Sequence, residues 1–189
     1  MRSFYEKYYG DCHKRKLILG INPGRHGAGV TGIPFTDTKR LNDVLGISAT
    51  DVHSHEVSAV FVYDLIAAYG GPEAFYGDYF IHSLFPLALI QNKNGKPVNA
   101  NYYDSSELFQ ATRQDIIQHL EILRKLPVDL NNVFVLGKKN AGFLDKINTE
   151  IQFTGNITVL EHPRYIQQYK KPISQEYIDK FLKLLTTGN

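Results

Sequence analysis

Residues 16–35, "KLILGINPGRHGAGVTGIPF", decide how the chain is read. The apolar run Leu17, Ile18, Leu19 predicts a short buried strand, and from Gly20 onward the composition is that of a loop. Gly27, Gly29 and Gly32 spell G-x-G-x-x-G. A dinucleotide-binding turn needs that pattern where the strand stops and a helix opens, because the pyrophosphate rests on the helix N-terminus. Here six residues, Ile21 to His26, separate Gly20 from Gly27, and Gly32 leads into Ile33-Pro34-Phe35. Nor does an apolar strand ending in an acidic residue follow about twenty positions later. The dinucleotide reading is set aside. Two readings remain: glycines that only shape a loop, or a site built on the Asn-Pro-Gly at its front. Open parallel sheets hold ligands beyond the carboxyl ends of their strands, so Asn22 stands where a reactive side chain belongs. Pro23 and Gly24 stiffen and sharpen the turn, and Phe35 offers a flat apolar face at its far end.

Working outward, three more apolar runs follow: "YFIHSL" (79–84), "NVFVLG" (132–137) and "NITVLEH" (156–162). Four short buried strands with helix-like segments between them predict an α/β fold with a parallel sheet covered on both faces. Helices are expected over 56–70, ending at Gly70-Gly71, and over 105–126, where Leu108, Ile116, Leu120 and Leu123 share a stripe. A last helix is expected over 174–185, with Ser174 as its N-cap. Between the second strand and the long helix, residues 86–104 form an excursion whose Asn94-Gly95 signals a hairpin turn. The fourth run ends in "LEHP", which puts His162 before Pro163 at another carboxyl edge. Alone, such a histidine is usually a surface or capping residue; beside Asn22 from another strand end it becomes a site candidate.

The bulk numbers narrow the classes. A chain of 189 residues, 43% hydrophobic and 21% charged, fits one globular domain with a single core. No stretch approaches the ~18 consecutive apolar residues of a membrane span, and "MRSFYEKYYGDCHKRK" lacks the apolar core of a signal peptide, so a cytoplasmic location is expected. The lone Cys12 excludes an intramolecular disulfide and any four-cysteine metal site. His26, His53, His55 and His82 have no metal-ligand spacing. A net charge of +2 permits a nucleic-acid partner without demanding one, so any phosphate-binding face must come from local clustering.

Taken in order, "LGINPGRHGAGVTGIPF" (19–35), "EVS" (56–58), "FIHSLFPL" (80–87), "VFVLGKK" (133–139) and "LEHP" (160–163) resemble the uracil-DNA glycosylase superfamily, in particular its single-strand-selective monofunctional branch. The mismatch-specific uracil glycosylases look similar at "GINPG" but carry Asn-Pro-Ser where this chain has His-Pro. The resemblance runs from Lys16 to Pro163. It implies a three-layer α/β/α sandwich with a four-stranded parallel sheet in order 2-1-3-4, as a single domain over residues 1–189. It also implies hydrolysis of the N-glycosidic bond of a flipped-out deaminated base, without metal or cofactor. The implied partner is DNA containing a damaged base, bound by a monomer with no membrane involved. Carried over by position, Asn22 would orient the attacking water and His162 would face the leaving base's carbonyl. Phe35 would stack on the base, with Ile21, Gly24 and Ser83 contacting it.

Two departures bear on the substrate. Where the family typically has an Asn after Val-His, this chain has Ser83, whose hydroxyl lacks the bidentate fork of an amide. The base is therefore left open among uracil, hypoxanthine and xanthine. After His162, "HPRYIQQYKK" (162–171) replaces the family's "HPSPRN"-type loop. Arg164 and Tyr165 are either a wedge and stacking platform in DNA or ordinary exposed residues. Lys138, Lys139, Lys170 and Lys171 are either phosphate contacts or solvated surface. Ser58, placed before a helix by the "EVS" match, either holds a phosphate with the helix amides or simply caps the helix. Three functions stay open: a base-excision glycosylase, a damage-binding protein of the same fold that has lost turnover, and a hydrolase of free nucleosides or nucleotides. Intact Asn22, Phe35 and His162 favour the first.

Overall fold

In the computed structural model, which describes residues 1–48 and 53–187, the chain begins with α1 (Arg2–Tyr9), β1 (Arg15–Gly20), and the short α2 (Ala28–Thr31) and α3 (Thr38–Asp43). Then come α4 (Val57–Tyr69), α5 (Pro72–Asp78), β2 (Tyr79–Ser83) and a hairpin of β3 (Leu89–Lys93) and β4 (Lys96–Ala100). The second half carries α6 (Ser106–Leu123), β5 (Val128–Leu136), α7 (Lys138–Ile151), β6 (Asn156–Leu160), α8 (Pro163–Tyr169) and α9 (Ser174–Thr187). The sheet order is β2-β1-β5-β6, all parallel. With the hairpin left out of the count this is the expected 2-1-3-4.

The alternation of side chains along β1 builds both halves of the core. Leu17 and Leu19 point to one face, where they join Phe80, Val133 and Val135 of the neighbouring strands and Ile116, Leu120 and Leu144 of α6 and α7. Ile18 points to the other, with Ile81, Phe134 and Leu160, beneath Phe61 and Ile66 of α4, Ile166 of α8 and Phe181 of α9. β1, β2 and the second half of β5 are buried and need continuous apolar runs, which is why they were legible, whereas β6 at the sheet edge is not the buried strand expected: among its residues only Leu160 is buried. Register sets Gly20 beside Ser83 and Leu136 beside Leu160, so the strand ends carrying the candidate residues share one edge.

The helices start and stop for local reasons. Gly70, at φ 117°, ends α4, and the Ser105 hydroxyl accepts from the Leu108 amide at 3.1 Å to begin α6. In α6 Ile116, Leu120 and Leu123 are buried as the stripe predicts. The hairpin turns at Asn94 and Gly95, both at positive φ (53° and 76°), the combination a two-residue type I′ turn requires. One expectation is corrected: Ser174 is not an N-cap. It follows a 3₁₀ turn over Lys171–Ile173 and is itself helical, at φ −59° and ψ −30°, whereas a capping residue is extended.

Candidate active site

At the carboxyl edge of the sheet a cavity of about 290 Å³ opens. It is lined by Ile21, Asn22 and Gly24 after β1, Phe35 further along that loop, Glu56 and Ser58 at the start of α4, Asn99 and Ala100 at the end of β4, and His162 and Arg164 after β6.

Asn22 is held from a distance. Its Nδ2 donates to the Ala100 carbonyl at 3.1 Å, and its Oδ1 accepts from the Tyr102 amide at 3.3 Å. Having one donor and one acceptor as fixed partners sets which end of the amide is which. The Tyr102 ring is fully buried, and its hydroxyl donates to Asn140 Oδ1 at 2.7 Å. Asn140, fully buried too, donates in turn to the Gly20 carbonyl at 3.0 Å. The route closes on β1 two residues before Asn22. A second clasp lies nearby, where Asn99 Oδ1 accepts from the Arg25 amide at 3.2 Å. The hairpin thus grips the Asn22 loop twice.

Phe35 takes a backbone conformation that bulky residues avoid, φ 54°, and its side chain is buried. Such strain persists only where the surroundings overdetermine it. Two residues on, Asp37 anchors the segment that follows: fully buried, it caps α3 through the Arg40 amide at 3.0 Å, pairs with the Arg40 guanidinium at 2.9 Å and accepts from the Glu56 amide at 3.0 Å. The Phe35 ring lies over Gly20, where a Cβ would come within 2.7 Å of it, and 6.1 Å from the His162 ring, centroid to centroid.

His162 caps α8. Its Nδ1 accepts from the Arg164 amide at 3.1 Å, and Pro163, which has no N–H to satisfy, takes the first helical position. Burial first, and the Arg164 charge second, push its pKa down to about 4, so the ring is neutral at ordinary pH. With Nδ1 used as an acceptor, the proton of the neutral ring sits on Nε2, which is left as a hydrogen-bond donor.

Of the residues singled out in the sequence, the cavity gathers Ile21, Asn22, Gly24, Phe35, Ser58, His162 and Arg164. Ser58 is the second residue of α4 and is buried; Glu56, not Ser58, holds the capping position. Ser83 lies elsewhere: buried at the end of β2, it lines a neighbouring cavity of about 430 Å³ with His82 and His119, and Pro23 lines both cavities. Lys138 opens α7 beside Asp145, Glu161 and Lys180, and the Lys139 ammonium sits 4.6 Å over the Tyr103 ring. Tyr165 is exposed next to Tyr169, outside the cavity lining, and Lys171 is exposed beyond it. Sequence reasoning missed Glu56, Asn99, Tyr102 and Asn140. The one available signal was the polar run "NAN" (99–101) where a hairpin returns toward the sheet.

An open parallel sheet with an amide after β1 and an imidazole after β6, strands separated by β5, has the form of the α/β class whose ligand sites lie at the carboxyl edge. The profile of the Uracil DNA glycosylase superfamily matches residues 7–186. The chain belongs to that superfamily. It is 32% identical over 108 residues to the single-strand selective monofunctional uracil DNA glycosylase of Bos taurus, covering 47% of this chain and 39% of that protein. Against the Rattus norvegicus protein of the same name the figures are 28% over 103 residues, 46% and 37%. The matched stretch therefore spans about two fifths of the length of these curated relatives. The crystal structure of wild-type SMUG2 from Pedobacter heparinus superposes with a TM-score of 0.94 at 46% identity, covering 98% of this chain and 80% of that one.

Proposed function

We propose that the chain is a monofunctional DNA glycosylase that hydrolyses the N-glycosidic bond of a deaminated base flipped out of DNA, acting as a monomer. The observation that carries this is the pairing of a clamped Asn22 amide with a neutral His162 in one cavity with Phe35. Breaking the bond from C1′ to the base sends the bonding electrons to the base and leaves an oxocarbenium-like sugar. Catalysis then depends on stabilising charge more than on a strong nucleophile. His162 donates from Nε2–H to the carbonyl oxygen of the departing base as negative charge develops there. The remaining lone pair of Asn22 Oδ1 accepts from the attacking water; an amide is too weak a base to deprotonate it, so the residue orients the water, and as the water oxygen bonds to C1′ its surplus proton passes to the departing base anion, which leaves neutral. Phe35 restores part of the stacking the base loses on leaving the helix, with Ile21 and Gly24 as adjoining walls.

DNA around the pocket meets Arg164, from the cavity lining, and the exposed Tyr165, which fill or flank the gap the base leaves, while Lys138, Lys139 and the first turn of α4 at Ser58 face phosphates. Ser83 bears on which base is accepted, among uracil, hypoxanthine and xanthine. The test is a panel of oligonucleotides carrying uracil, hydroxymethyluracil, hypoxanthine or xanthine, incubated with purified protein and treated with alkali. Strand breaks at one or more of these bases are expected; none on any overturns the proposal. A second reading, a damage-binding protein without turnover, is favoured by the separation of Ser83 from the cavity of Asn22. It requires damage-dependent binding with no alkali-labile product.

A further inference from the structure

Glu56 is the one carboxylate among the described residues that lines the candidate cavity, and the mechanism above leaves it unused. Its Oε2 is buried and has no hydrogen-bond partner. The carboxyl is pressed onto Gly27 so closely that a Cβ there would overlap it, and its other oxygen lies 3.8 Å from where a Gly24 Cβ would stand. Behind it, Asp37 holds its backbone amide at 3.0 Å. A charged carboxylate in that seat would face a second buried carboxylate with an unsatisfied oxygen, a costly arrangement, whereas the neutral acid fits it.

We propose that Glu56 is a positioning residue that works as the neutral acid. Uncharged, it fills the space over Gly27, steadies the turn from Asn22 to Gly27 and leaves Arg164 free to meet DNA; ionised, it competes with DNA for the Arg164 guanidinium. This deepens the glycosylase reading and rests on it. The balance of forces agrees: burial and the Asp37 charge raise the Glu56 pKa to about 7, against the opposing pull of the Ala28 amide and Arg164. DNA phosphates nearby and the engagement of Arg164 by DNA both favour the proton further, so binding is linked to proton uptake. The other titratable or charged groups around it are Asp37 with Arg40 and His55 on one side, and His26 and His162 across the cavity. Glu56→Gln leaves all of these in place.

The test is the single-turnover rate of the full chain on its best damaged oligonucleotide from pH 6 to 9. Wild type is expected to slow about tenfold per pH unit above a midpoint at or above 7. Glu56→Gln, a permanent mimic of the neutral acid, is expected to lose this limb and outpace wild type about tenfold or more at pH 9. Calorimetric titration of wild type with DNA at pH 7.5, in two buffers of different ionisation enthalpy, should report proton uptake and keeps the idea testable if the variant folds poorly. An unchanged alkaline limb in Glu56→Gln, inactivity of that variant at every pH while folded, or no proton uptake overturns the role of Glu56. Failure of wild type on every base overturns the glycosylase reading instead.

Discussion

The Arg164 backbone amide donates to His162 Nδ1 at 3.1 Å, so the residue that begins α8 is also the one that presents Nε2–H to the cavity. Helix capping and the chemistry proposed for the site share one ring. Removing it with His162→Ala should lower the single-turnover rate about 10²–10³-fold, the usual loss for an oxyanion donor, while changing the DNA dissociation constant little. An unchanged rate would remove His162 from the mechanism.

The same ring predicts an acid-side loss of stability. Its folded pKa of about 4 lies below the value of 6.5 for a free imidazole, so the folded state binds the proton less readily than the unfolded one. The contribution to stability is complete above about pH 6.5 and drains away as pH falls toward 4. Burial lowers His119 to about 4 as well, so it adds to the same window. Thermal melting at pH 7.5 and 4.5 should show a smaller gap for His162→Asn than for wild type; equal gaps would count against the assignment.

Tyr102→Phe removes the hydroxyl that occupies Asn140 Oδ1 and leaves that buried oxygen unpaired, at a cost of about 1–3 kcal/mol. Asn22 then loses part of its scaffold without losing its own side chain. The expected result is a lower chemical rate with DNA affinity held, in the same direction as Asn22→Ala but smaller. Denaturant unfolding and single-turnover assays separate the stability effect from the rate effect.

Much of this was legible because it is short-range. Leu17 to Leu19, and the runs ending near Ser83, Gly137 and His162, announce strands by composition, and strand ends in a parallel sheet announce a site. The helix at Pro163 was hidden because "HPRY" reads equally well as a loop until the His162 ring is seen to accept from the second amide beyond it. Ser174 misled for a related reason: a preceding 3₁₀ turn makes it helical already. Tyr102 and Asn140 left no trace in sequence, since their importance lies in partners far along the chain, Asn140 and Gly20 being 120 residues apart; Glu56 stood inside "EVS", where Ser58 drew the attention instead.

Gly20→Ala should act on Phe35. The added methyl would meet the ring at 2.7 Å, and since the ring is buried and its backbone strained, it has no easy place to move. Overpacking of this kind costs about 1–3 kcal/mol, and displacement of the stacking wall should cut the rate further. Full activity in the alanine variant would mean that Phe35 does not contact the base.

Ser83→Asn supplies the amide fork that the hydroxyl lacks. The expected outcome is a rise of about tenfold in the ratio of uracil to xanthine or hypoxanthine excision, the scale of one added hydrogen bond of about 1.4 kcal/mol. An unchanged ratio would show that Ser83, in its separate cavity, has no say in base choice.

The grip of the hairpin on Asn22 also dictates when the site can exist during folding. Asn22 meets Ala100 and Tyr102, 78 and 80 positions later, and Tyr102 in turn leans on Asn140. Closing such long loops is slow and comes after local structure. A growing chain therefore has to carry its synthesis past β4 and on to Asn140 of α7 before the Asn22 amide can be fully aimed, and β1 itself waits on β2 and β5 for its partners.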